Sequence, residues 1–266
     1  MSDVTFTTPR GIRLSGTLEP AGPPGPSSPV VAGPGSAVLF AHGFLAERSS
    51  RGRADHLGAA YRAAGFGTLT FDFSGCGSSQ DDVVSVAHEV EDLLAASLFL
   101  ADAGYPTQVL HAHSLGALVS LRACPPHVRA MVLTGAVAGP IQHPWEHVLS
   151  AGQLAELAAT GRTTVPDDDP GERDHHVISN QTLADFAEID QEQVLTAVRC
   201  PVLLIHGGAL HDGEEHPLVT LSRLGLPALP EGSALHVVPG AEHGLFDHLD
   251  TVGRRSLDWL AGQLTP

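Results

Sequence analysis

In Thr107-Gln108-Val109-Leu110-His111-Ala112-His113-Ser114-Leu115-Gly116 a short apolar run ends in a serine flanked by small residues. A helix-like stretch, residues 115–124, follows at once. A serine on a sharp turn between a strand and a helix has its hydroxyl lifted above the sheet edge, with the next backbone N–H groups pointing into the space before it. Such a turn needs small neighbours, because the helix folds back closely on the strand. Gly116 meets that need, and Ala112 stands where a Gly-x-Ser-x-Gly turn carries its first glycine, adding one methyl. Ser114 is therefore the candidate nucleophile. The plainer alternative, a serine in an ordinary turn, leaves the strand before it and the helix after it unexplained.

Working outward, the chain alternates short apolar runs with helical stretches. Runs at 37–41, 68–71, 108–110, 130–133, 202–205 and 235–238 are each bounded by turn residues, and helices are expected near 56–64, 83–103, 115–122, 218–224 and 245–264. Unbroken apolar strands of this kind are covered on both faces, which predicts a mainly parallel sheet flanked by helices. Residues 4–8 and 12–18 alternate apolar and polar around Pro9-Arg10-Gly11 and read as an edge hairpin. Residues 19–35, rich in Pro, Gly and Ser, read as an exposed connection. Residues 138–199 lack a convincing strand but hold helix-like stretches at 145–159 and 182–197 around a polar loop at 163–173. They are expected to form an inserted helical cap over the serine, with 1–137 and 200–266 as the core.

Composition narrows the function classes. The chain has 266 residues and a formal charge of −16, and all 14 basic residues are arginines. Nucleic-acid binding is disfavoured, because neutralising phosphates requires a clustered basic face. Arg48, Arg51 and Arg53 are the nearest approach to one and read as the solvated start of a helix. Cys76, Cys124 and Cys200 are odd in number and widely spaced, which fits reduced thiols and a cytoplasmic location. No secretory leader, membrane span, cofactor or metal is expected. His111-x-His113 puts two imidazoles on one strand face without a third ligand, and His175-His176 reads as an exposed pair in the cap loop.

Three further motifs accompany Ser114. They are Leu39-Phe40-Ala41-His42-Gly43-Phe44, Cys200-Pro201-Val202-Leu203-Leu204-Ile205-His206-Gly207, and Pro239-Gly240-Ala241-Glu242-His243-Gly244-Leu245-Phe246. In this order they resemble the oxyanion loop, the strand before the catalytic acid and the histidine loop of the α/β-hydrolase family, and the resemblance runs over residues 4–264. It implies an α/β-hydrolase fold, Ser114 as nucleophile, His243 as general base and Asp212 as the carboxylate that orients it. The loop to the acid is longer than the family's usual one, and Glu214 and Glu215 are alternatives. Backbone N–H groups of Phe44 and Leu115 would form the oxyanion hole. His42, Gly43, Phe44, His113 and Trp145 would line the substrate site.

The short oxyanion loop and small cap resemble those of bacterial carboxylesterases, feruloyl-type esterases among them, and of serine aminopeptidase-like hydrolases. The expected activity is hydrolysis of a small-molecule ester with a small to medium acyl chain. A thioesterase, an aminopeptidase or an amidase would use the same machinery, and a non-catalytic binding protein would keep the fold without it. Monomer and homodimer are both compatible with the sequence.

Overall fold

A computed structural model of the chain describes residues 2–23, 32–168 and 173–264. Part of the Pro/Gly-rich connection (24–31) and part of the cap loop (169–172) lie outside the described residues. The chain begins with β1 (Ser2–Thr7) and β2 (Arg13–Glu19), then β3 (Ser36–Ala41), α1 (Arg53–Ala63), β4 (Gly67–Phe71), α2 (Val86–Asp102), β5 (Thr107–His113), α3 (Leu115–Ala123) and β6 (Val128–Thr134). After an intervening segment come β9 (Val202–Gly208), β10 (Leu210–His211), β11 (Glu214–Glu215), α7 (Pro217–Gly225), β12 (Ala234–Pro239) and α8 (Leu249–Gln263). The segment between β6 and β9 carries α4 (Ala151–Thr160), β7 (Arg162–Pro166), β8 (His175–Ser179), α5 (Asn180–Ala187) and α6 (Gln191–Thr196).

Eight strands form one sheet in the order β1-β2-β4-β3-β5-β6-β9-β12. β1, β2 and β4 pair antiparallel, while every pairing from β4 to β12 is parallel. This is the α/β-hydrolase fold. The pleat explains why the central strands read as continuous apolar runs. In β3, Ala37, Leu39 and Ala41 enter the core on one face with α2 and α3, while Val38 and Phe40 enter the other with α1 and α8.

The intervening segment, expected from sequence to be a helical cap without strands, is not wholly helical. β7 and β8 form an antiparallel ribbon, and the single helix expected over 182–197 is two, because Asp190 caps a new start through the N–H of Gln193 at 2.9 Å. His176, read as exposed, is buried on β8, with its Nδ1 3.0 Å from the carbonyl oxygen of Gly75. The segment is sewn to the loop between β4 and α2. Val84 N–H donates to Val177 O at 2.9 Å, Thr182 Oγ1 donates to Val84 O at 2.5 Å, and Val86 N–H donates to Asp185 at 2.8 Å. Among the described residues no helix is long and apolar enough to cross a membrane.

Candidate active site

Ser114 lies between the last residue of β5 and the first of α3, with φ 53° and ψ −118°. A β-carbon at this φ is strained, and the surroundings hold it there. The Ser114 N–H donates to Thr134 O at 2.9 Å, and its carbonyl accepts from Ala117 N–H at 3.1 Å. Gly116 lets α3 approach β3, since a β-carbon there would overlap the carbonyls of Ala41 and His42. The backbone N–H groups of Phe44 and Leu115 donate to no group among the described residues. For Leu115 this follows from its place in the first turn of a helix, where N–H groups have no partner in the preceding turn.

His243 follows β12 on a loop that turns through Leu245 at φ 57°. Its Nε2 is 3.2 Å from Ser114 Oγ, a contact between residues 129 positions apart. The ring packs on the backbone of Gly135, where a β-carbon would stand 2.8 Å from Cε1 and 3.0 Å from Nδ1. Burial, then the like charges of His216, Arg53 and His143, push its pKa down to about 4.

The expected third member is not brought to this pair. Asp212 occupies the exposed tip of the β10–β11 hairpin at φ 54°, and pairing of His211 with Glu214 turns that tip outward. Glu214 is exposed, and Glu215 is held by Arg223 at 2.7 Å. Among the described residues no carboxylate hydrogen-bonds to His243. The group beside it is the His216 ring, stacked at 5.3 Å.

A cleft of about 300 Å³ opens before the serine, lined by Gly43, Phe44, His113, Ser114, His243 and, beyond them, Arg51, Arg53 and Phe246. Gly43, Phe44 and His113, expected from sequence at a substrate site, line this cleft. His42 does not line it: the ring is buried, with Nδ1 against Gly43 O at 2.9 Å and Nε2 accepting from Phe73 N–H at 3.0 Å, so it braces the loop from behind. Trp145 reaches the cleft only through Phe44, which it meets edge-on at 6.2 Å alongside Phe186. His113 Nδ1 meets Thr134 Oγ1 at 3.1 Å, and burial holds its pKa well below the usual imidazole value. Cys76 is fully buried, and that burial raises its thiol pKa, which removes it as a nucleophile.

Sequence reading missed Arg53. It is 6% exposed rather than solvated, and it lines the cleft. The signal was present: Arg53, Leu57 and Tyr61 recur at intervals of four and share one buried helix face. His216 and Gly135 carried no comparable signal, because their roles depend on contacts across strands.

The esterase domain of a Rhodothermus marinus protein is 23% identical to this chain, with 99% of each chain covered and a TM-score of 0.67. The alpha/beta hydrolase GrgF from Penicillium sp. sh18 gives 18% identity over 99% of this chain and 98% of its own, with a TM-score of 0.73. Est1E from Butyrivibrio proteoclasticus, solved with ferulic acid bound, gives 18% identity over 98% and 99%, with a TM-score of 0.69. Identities this low show a shared fold. A search among curated proteins gave no match. A profile described as "Alpha/beta hydrolase family" matches residues 38–254, from the first parallel strand into the closing helix, and the chain belongs to that family.

Proposed function

We propose that the protein is a serine hydrolase that cleaves carboxylic esters with a small to medium acyl chain through an acyl-enzyme on Ser114. The observation that carries this is the 3.2 Å approach of His243 Nε2 to Ser114 Oγ at the mouth of the cleft. Ser114 attacks the ester carbonyl as His243 takes its proton, and the N–H groups of Phe44 and Leu115 receive the oxyanion. His243 then returns the proton to the leaving alcohol. Water, activated by the same imidazole, releases the acid. Burial keeps His243 neutral at pH 7 and so ready to accept a proton.

The base works in this scheme without an orienting carboxylate. Gly135, His113 and His216 confine the ring by packing instead. The three free thiols agree with a reducing, cytoplasmic setting. That no carboxylate among the described residues hydrogen-bonds to His243 also favours a second reading, a hydrolase-fold protein that binds esters without turning them over.

Hydrolysis of a chain-length series of p-nitrophenyl esters by wild type and Ser114→Ala separates the two, together with mass detection of a fluorophosphonate adduct. Turnover by wild type alone, with the adduct on Ser114, supports the hydrolase. Folded protein with neither turnover nor adduct supports the binding protein.

A further inference from the structure

Arg53 is a buried guanidinium whose charge no carboxylate among the described residues neutralises. Its Nη2 donates to Gly244 O at 2.7 Å, and its Cζ lies 4.4 Å from the centre of the Phe246 ring. Its Nε is buried without a hydrogen-bond partner. Among the described residues no carboxylate forms an ion pair with it, and the charged group that acts on it, Arg51, has the same sign.

Other arginines here are treated differently. Arg10 meets Asp82, Glu91 and Asp92; Arg48 meets Asp72, Arg62 meets Glu19, and Arg223 meets Glu215. In a chain with 30 acidic residues and 14 basic ones, counter-ions are abundant. Desolvating a charge without a partner is costly, because nothing in low-dielectric surroundings replaces the lost hydration. That cost is offset when a ligand brings the missing charge.

The position of Arg53 specifies which ligand. It lines the same cleft as Ser114 and His243, and its Nη2 holds the carbonyl of the residue directly after the base. An anion bound there shares the cleft with a scissile bond at Ser114. A cleft of about 300 Å³ admits only a small molecule.

Resting on the serine-esterase reading above, we propose that the cleft takes esters that carry a carboxylate of their own, and that Arg53 binds that carboxylate. The substrate class is then hemiesters of small dicarboxylic acids, or acyl esters of small hydroxy acids. Both present one ester and one carboxylate within a short carbon chain. Phe246, under the guanidinium, and Phe44, beside the serine, supply apolar walls for the methylenes between them.

The test compares isosteric pairs. On the acyl side, mono-p-nitrophenyl adipate is set against p-nitrophenyl hexanoate; on the alcohol side, 4-acetoxybutanoate is set against butyl acetate. Wild type is expected to favour the anionic member of one pair by about tenfold or more in kcat/KM, the scale of one charge-assisted hydrogen bond. Arg53→Gln should collapse that ratio towards one, and Arg53→Lys should retain part of it. Which pair shows the preference tells whether the carboxylate sits on the acid or the alcohol.

Wild type showing no anionic preference in either pair overturns the proposal. So does an equal loss on both members in Arg53→Gln, which would mean that Arg53 only braces the His243 loop. If Arg53→Gln does not fold, the wild-type ratios still decide, with calorimetric binding of adipate to Ser114→Ala as the second measurement. Fluorophosphonate labelling of Ser114 in wild type keeps the two readings apart. Labelling without anionic preference sinks this proposal alone, whereas absent labelling sinks the esterase reading beneath it.

Discussion

The imidazole of His216 lies nearly parallel to that of His243, 15° from coplanar with ring centres 5.3 Å apart. Two rings so placed cannot both hold a proton cheaply, and burial lowers the pKa of each before the other is counted. A general base works only when neutral. The acid limb of kcat/KM should therefore fall near pH 4, below the ordinary histidine value of about 6.5. Ester hydrolysis followed after rapid pH jumps between 3.5 and 8 checks this. His216→Asn can still cap α7 at Leu218 N–H, where His216 Nδ1 accepts at 3.2 Å. With the like charge gone, its acid limb should lie higher than that of wild type. A wild-type limb at 6.5 would mean that the ring is far more solvated than its packing implies.

Gly135 sets the seat of the His243 ring. Alanine there would put a β-carbon 2.8 Å from His243 Cε1 and 3.1 Å from His113 Cε1, on a backbone with φ 53°. The imidazole must shift by a few tenths of an ångström, away from the geometry that meets Ser114. Gly135→Ala is expected to lower kcat by about ten- to a hundredfold, the usual cost of a misplaced catalytic group. Its fluorophosphonate labelling should slow in proportion, while its circular dichroism stays native.

Replacing Asp212 separates a dyad from a triad. Where a carboxylate orients a catalytic histidine, removing it drops kcat by about 10⁴. Because Asp212 stands at an exposed hairpin tip away from His243, Asp212→Asn should keep kcat/KM within about threefold of wild type, while His243→Gln should lose about 10⁴ or more. A large loss in Asp212→Asn would show that the hairpin folds inward when substrate binds.

Arg10 anchors a buried acidic group in the core. Its Nη2 is 3.1 Å from Asp92, whose side chain is 0% exposed, and Ser74 N–H gives the same carboxylate a second bond at 2.8 Å. Arg10→Leu strands that carboxylate, and breaking a buried pair in this way costs about 3–5 kcal/mol. Urea unfolding should show a lower midpoint with an unchanged slope. A midpoint unmoved by the change would mean that Asp92 is protonated in the folded protein.

What could be read from sequence follows the range of the forces involved. Strands β3, β5, β6 and β9 are legible because burial on both faces forces an unbroken apolar run, and Ser114 is legible because a strand, a tight turn and a helix are local. The β7–β8 ribbon was hidden because Arg162-Thr163-Thr164-Val165-Pro166 and His175-His176-Val177-Ile178-Ser179 are largely polar, and Val165 and Ile178 find their apolar partners at a distance in sequence, in Leu149 and Leu157 of the same segment and in Cys76 and Val84 of the core loop. The break between α5 and α6 rests on a single cap at Asp190. The placement of the carboxylates expected to orient His243 was the least legible part. Ten consecutive residues offered three carboxylates, and hairpin register, a property of pairing rather than composition, carried all three elsewhere.

The stitching of Val84, Val86 and Gly75 to β8 and α5 has a bearing on traffic through the molecule. Along that flank the roof shares its hydrogen bonds with the floor, so parting them would expose backbone donors and acceptors all along the join. The rim of the cleft between Leu45 and Phe246 is edged by Arg51 and Arg53. If the cleft takes the esters proposed above, ester enters and acid leaves across that rim, and a departing carboxylate passes the same charge that drew its parent in.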